Sequence, residues 1–242
     1  EPGGLAGESG PGKSTLARAP VRLPDPTAGT VSFAGRDITR AGQRELAPLR
    51  AELQIVFQDP YGSLNPRKKA RDIVGLPLRL SGVPRAEIGS RVEALLERVG
   101  LEPAHPDRWP HESPGGPPQR IGIARALALD PRLVVLDEPV SALDVTVQAQ
   151  IVELLDDLQR ALGLSYLFIS HDLSVVRQVS DRVAVMQRGK LVEVAPVADV
   201  YARPQHSYTA ALLSAVPVPR PVRGDAAGRG ACGSGPPGGA LS

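Results

Sequence analysis

Near the start of the chain, Gly7-Glu8-Ser9-Gly10-Pro11-Gly12-Lys13-Ser14 matches G-x-x-x-x-G-K-[ST] in full. Glycines in such a loop let backbone N–H groups converge on phosphate oxygens, and the helix that follows adds partial positive charge. Lys13 is then placed for the β- and γ-phosphates, and Ser14, followed by Thr15, for a magnesium ion. A second cluster lies far along the chain. Leu133-Val134-Val135-Leu136 runs straight into Asp137-Glu138. The C-terminal end of an apolar strand beside a phosphate loop is where open α/β sheets bind ligands. There Asp137 suits magnesium, and Glu138 suits the attacking water of phosphoryl transfer, which needs positioning and charge above all. Alone, each cluster has a plain alternative: a glycine turn before a helix, and a solvated strand end.

These residues need a scaffold of strands and helices. Strand-like sequence already runs through Gly4–Gly7, so the chain is read as starting inside a longer unit. Residues 14–19 read as a helix stopped at Pro20. Val31–Phe33 and Leu53–Phe57 read as short strands, with a weak helix at Gln43–Arg50 between them. Val92, Leu95, Leu96 and Val99 recur at helical spacing within Arg91–Val99. Residues 103–118, rich in Pro, Gly and His, read as a loop before a helix at 119–129. Val147–Leu162 carries an apolar stripe of Val147, Ile151, Leu154, Leu155, Leu158 and Leu162. Leu133–Leu136, Tyr166–Ile169 and Val183–Met186 are apolar runs of strand length. Strands alternating with helices predict an α/β fold with a mostly parallel sheet.

Composition narrows the class. The 242 residues are 42% hydrophobic and 22% charged, with a formal net charge of +2. That balance argues against a dedicated nucleic-acid binder. The single cysteine, Cys232, excludes an internal disulfide framework and a four-thiolate metal site. His105 and His111 lack metal-ligand spacing. No apolar run approaches a membrane span. The chain holds 25 glycines and 25 prolines, about a fifth of its length against about an eighth in average usage.

Further motifs follow in order: Phe57-Gln58-Asp59-Pro60, Gly115-Gly116 before an arginine-bearing helix, Asp137-Glu138-Pro139, Ser141-Ala142-Leu143-Asp144 and Ser170-His171-Asp172. Together they resemble the nucleotide-binding domain of ABC transporters, from residue 4 to about residue 220. The segments Gln58–Arg67 and Gln205–Leu213 resemble the ATPase subunits of bacterial dipeptide/oligopeptide importers. The resemblance implies a P-loop NTPase (RecA-like) fold with a mostly parallel sheet, a small antiparallel part and an inserted helical subdomain. It divides the chain into an ATP-binding core at 1–60 and 130–200, a helical subdomain at 61–129, an importer-type extension at 201–223 and a disordered tail at 224–242. It implies ATP and Mg²⁺, with Gly7 to Thr15 on nucleotide and Ser14, Gln58 and Asp137 on magnesium. Gln58 matches a glutamine that senses magnesium and water, and His171 a histidine that contacts the γ-phosphate. With Glu138 they form the implied catalytic set. Asp144 matches an acid at a dimer seam. Each has a plainer reading: a loop amide for Gln58, a packing or capping residue for His171, and an N-cap for Asp144.

The implied partners are a second ABC ATPase chain, with a heterodimer favoured, two transmembrane permease subunits and, indirectly, an extracytoplasmic solute-binding protein. No nucleic acid is implied. The implied location is the cytoplasmic face of a bacterial inner membrane, bound peripherally. A small GTPase is disfavoured because Asn-Lys-x-Asp does not occur.

The sequence departs from the family at prolines. The signature Leu-Ser-Gly-Gly-Gln is here Ser113-Pro114-Gly115-Gly116-Pro117. In the family that segment binds the γ-phosphate held by the opposite subunit. Pro114 offers neither hydroxyl nor N–H. Pro11 likewise removes a possible donor from the phosphate loop. The resemblance therefore leaves two readings: an ATPase powering peptide import, and an impaired subunit that binds nucleotide or permease without efficient hydrolysis.

Overall fold

Leu5, Val134, Val135, Leu136, Phe168, Ile169, Val183 and Val185 are all buried. Short runs with no polar face form strands that are covered on both sides. The computed structural model describes residues 3–7, 12–102, 105–112 and 117–215. Strand β1 (Gly3–Gly7) precedes helix α1 (Lys13–Arg18), and β2 (Ser32–Phe33) pairs antiparallel with β3 (Arg36–Asp37). Then come α2 (Gln43–Glu52), β4 (Leu53–Val56), α3 (Pro60–Ser63), α4 (Ala70–Leu80), α5 (Arg85–Arg98) and α6 (Pro117–Leu127). The chain continues through β5 (Leu133–Asp137), α7 (Val145–Leu162), β6 (Ser165–Ser170), α8 (Leu173–Val179) and β7 (Arg182–Gln187). It proceeds to β8 (Lys190–Pro196), α9 (Val197–Ala202) and α10 (Ser207–Ser214).

The main sheet has the order β4-β5-β6-β1-β7-β8, with only the β7–β8 pair antiparallel. Side chains alternate across it. Ala6, Val134, Leu136 and Phe168 join one core with Ile151 and Leu155 of α7. Leu5, Val135 and Ile169 join the opposite core with Leu46 and Leu49 of α2. The first core runs on through Val74 and Leu78 of α4, Val92 and Leu96 of α5, and Ile121 and Ala124 of α6. This helical layer thus shares its apolar interior with the sheet.

Most expected elements form, with shifted ends. The helix expected at 14–19 is Lys13–Arg18. The Arg91–Val99 stripe belongs to a longer helix starting at Arg85, because Ile88 extends the buried face one turn back. The expected 103–118 loop contains 3₁₀ turns at His105–Asp107 and Pro110–Glu112. Helix α6 starts at Pro117, since proline at a helix start gives up an N–H that has no intrahelical partner. Helix α4 contains Pro77, which interrupts the local helical ladder. Buried Ile73, Val74 and Leu78 hold it in place regardless. The tail expected at 224–242 lies outside the described residues.

Candidate active site

Parallel strands all point their C-terminal ends to one edge, so whatever follows β1, β4, β5 and β6 gathers there. Strand β1 ends at Gly7, where a Cβ would lie 2.2 Å from the Met186 carbonyl oxygen of β7. Only glycine lets the chain leave the sheet this close to its neighbour. Glu8, Ser9, Gly10 and Pro11 lie outside the described residues. Gly12 caps α1, and the next residue, Lys13, is only 2% exposed. Its Nζ donates to the Gly7 carbonyl oxygen at 2.9 Å, turning the ammonium back onto the end of β1. Thr15 follows on α1, exposed, and its carbonyl accepts from Ala19 N.

Asp137, the last residue of β5, is fully buried. Ser14 Oγ donates to its Oδ1 at 3.0 Å. Arg18 Nη2 lies 3.6 Å from Oδ2, an oxygen that has no hydrogen-bond partner. Burial pushes the Asp137 carboxyl up from its usual range, the Ser14 hydroxyl and Arg18 oppose that rise, and Glu138 adds to it. A buried carboxylate with a vacant acceptor position beside a hydroxyl is a hard-oxygen pair. Such donors fit magnesium.

The ends of β4 and β6 converge on Glu138, which itself follows β5. Gln58, two residues beyond β4, donates from Nε2 to Glu138 Oε2 at 3.1 Å. His171, directly after β6, brings Nδ1 to 3.3 Å from the same oxygen. The backbone supports this placement. Glu138 has φ of +46°, a left-handed conformation that costs energy for a non-glycine residue. Its N–H donates to Ile169 O at 3.0 Å, and its carbonyl accepts from Ser141 Oγ at 3.1 Å. Strain held in place by a neighbouring strand and a turn aims the carboxylate out of the sheet edge.

Asp144 takes the capping role: its Oδ1 accepts from Val147 N at 3.0 Å at the start of α7. Its side chain is exposed. Ser113, Pro114, Gly115 and Gly116 lie outside the described residues, as does the side chain of Pro117. The helix after them is firmly anchored. Arg120 Nη1 donates to Val99 O at 2.6 Å, and Arg125 Nη1 to Ser63 O at 2.9 Å. Sequence reasoning passed over Arg18. Its signal was available: it stands four residues after Ser14, and helix positions i and i+4 share a face.

Comparison with known proteins adds independent findings. The family model described as "ABC transporter" matches residues 1–141, and that for the "Oligopeptide/dipeptide transporter, C-terminal region" matches residues 192–235. The oligopeptide transport ATP-binding protein OppF of Bacillus subtilis is 51% identical over 221 residues, covering 90% of this chain and 72% of that protein. The glutathione import ATP-binding protein GsiA of Escherichia coli O6:H1 is 52% identical over 90% of this chain, which spans 35% of that protein. Among solved structures, the ATP-binding cassette MJ0796, in a dimeric post-hydrolysis state bound to ADP and Pi, superposes with a TM-score of 0.73. It is 29% identical, over 81% of this chain and 85% of that one.

Proposed function

The chain belongs to the ABC transporter family, and from that premise we propose that it is the ATP-hydrolysing subunit of an importer of di- or oligopeptides. The observation that carries the reading is the convergence of Gln58 and His171 on one oxygen of Glu138, beside the Ser14–Asp137 pair. The importer-type C-terminal match and the names of the relatives support peptides as the solute class. The GsiA similarity keeps glutathione, itself a small peptide, within that class.

ATP enters with its phosphates over the β1–α1 connection. Lys13 exchanges the Gly7 carbonyl for phosphate oxygens, a move its 2.9 Å hydrogen bond prepares. Ser14, Asp137 and Gln58 would hold magnesium, which when bound neutralises phosphate charge. Glu138 accepts a hydrogen bond from the attacking water and orients it toward the γ-phosphorus. The water oxygen bonds to the γ-phosphorus and gives up a proton to solvent by way of Glu138, the bond to the β–γ bridging oxygen breaks, and ADP and phosphate leave. In this reading His171, whose side chain is 45% exposed, turns from Glu138 to meet the γ-phosphate. In this reading residues 61–129 dock a permease, residues 201–223 form the importer-type extension, and Asp144 faces a second ATPase chain. A heterodimer fits best, because Pro114 would weaken only the site that borrows this chain's signature. No described helix is long and apolar enough to cross a membrane. Attachment is therefore proposed to be peripheral, through the permeases. None of the comparisons favours the impaired alternative.

The test is ATP turnover by the complex reconstituted with permeases, wild type against Glu138→Gln. Turnover falls by about 10²–10⁴-fold in the variant, with ATP still bound. Equal background turnover in both overturns the enzymatic reading.

A further inference from the structure

Asp137 is 0% exposed, and a buried carboxylate needs a counter-charge. Helix α1 supplies two partners one turn apart on the same face. Ser14 takes Oδ1 at 3.0 Å, and Arg18 Nη2 approaches Oδ2 at 3.6 Å. The second contact matches charge without locking geometry. Neither Asp137 Oδ2 nor Arg18 Nε has a hydrogen-bond partner. The arginines of α6 differ, since Arg120 and Arg125 donate to backbone carbonyls at 2.6 and 2.9 Å and hold elements together. Arg18 is also held from a second side, so it can let go of Asp137 without losing all support. Its side chain is 43% exposed, and its guanidinium lies 5.9 Å from the centroid of Phe57, the residue before Gln58. An aromatic face and solvent both accept a cation.

We propose that Arg18 is an internal stand-in for the divalent cation: it balances the Asp137 carboxylate while the site is metal-free and, when magnesium arrives, releases Asp137 and moves into solvent while staying on the Phe57 face. Arg18 is therefore a positioning residue, and this inference rests on the reading of Ser14 and Asp137 as magnesium ligands. Linkage is reciprocal. If Arg18 stabilises the metal-free chain more than the loaded one, its removal tightens magnesium binding by the same factor.

The experiment uses the full chain and a fluorescent N-methylanthraniloyl-ATP probe, titrated with Mg²⁺ from an EDTA-treated start. Arg18→Met lowers the Mg²⁺ concentration for half-maximal response by about threefold to tenfold, the effect of removing a competing cation at this range in partly screened surroundings. Arg18→Lys, which keeps the charge, stays near wild type. Arg18→Met also lowers the melting temperature in EDTA more than it does with saturating Mg²⁺ and nucleotide. An unchanged or raised Mg²⁺ midpoint, or equal destabilisation in both conditions, overturns the proposal by making Arg18 a merely structural residue. Arg18→Gln, also neutral, gives the same comparison if Arg18→Met does not fold. Asp137→Asn separates the two levels. If it leaves the Mg²⁺ midpoint unchanged, the magnesium reading falls and this proposal with it. If it abolishes the response while Arg18→Met matches wild type, this proposal alone falls.

Discussion

Glu193 of β8 is only 9% exposed, yet it sits far from the phosphate loop in sequence and carries a charge. Its Oε1 accepts from Gln205 N at 2.9 Å and its Oε2 from His206 N at 3.1 Å. His206 in turn caps α10, with Nδ1 accepting from Tyr208 N at 3.1 Å. One carboxylate thus clasps the start of the last described helix to the sheet. Hydrogen bonds to a charged acceptor contribute about 1.5–3 kcal/mol each. Glu193→Gln keeps one acceptor oxygen and turns an NH₂ toward the other amide, so one bond weakens and one is lost. The expected cost is about 2–4 kcal/mol. If α10 unfolds with the whole chain, the melting temperature drops by about 5–12 °C. If α10 releases alone, the Gln205 and His206 amides exchange with solvent about 30-fold faster or more. Hydrogen exchange resolved to those amides, read beside a thermal scan, covers both routes. Unchanged exchange together with an unchanged melting temperature refutes the clasp. The pH dependence has a definite sign. Burial works against ionisation of Glu193, but the Gln205 amide, the neighbouring Thr209 hydroxyl and the His206 amide hold its carboxyl below the usual 4.5. Stability from a depressed carboxyl is complete above the ordinary value and is lost as pH falls through the folded one. Amide protection in the wild type therefore fades below about pH 4.5, and Glu193→Gln lacks this step.

Two further outcomes are expected. Gly7→Ala drives a Cβ to 2.2 Å from the Met186 carbonyl and distorts the β1–β7 edge. It should cost about 2–4 kcal/mol in denaturant unfolding and weaken nucleotide binding; wild-type stability would contradict the close approach. Restoring Pro114→Ser with Pro117→Gln should raise ATP turnover of the assembled complex by about tenfold or more, as returning phosphate donors does. Equal turnover would mean that the signature does not limit the cycle.

Much of the candidate site is legible in the sequence. The residues of the Gly7–Ser14 motif are contiguous in the chain, so the motif is read from neighbours alone. Asp144 as an N-cap was legible for the same reason, since a cap bonds within three residues. The buried strands were legible as short apolar runs. Helix α4 was not, because Pro77 breaks the local pattern and only contacts with α5 and α6 through buried Val74, Leu78 and Val92 offset it. The clasp at Glu193 was also hidden, since it joins two segments with no shared periodicity.

Sequence alone determined which groups are candidates for phosphate chemistry and in what local setting, because turns, caps and periodicity are written in neighbouring residues. Tertiary structure decided which of those groups meet. Gln58 reaches Glu138 across 80 positions, and the strand order β4-β5-β6-β1-β7-β8 brings their ends to one edge. That order comes from covering both faces of one parallel sheet with helices, a requirement on the whole chain that no window of it carries. The same packing set Arg18 against a buried carboxylate, and so made it a candidate partner of the proposed magnesium site.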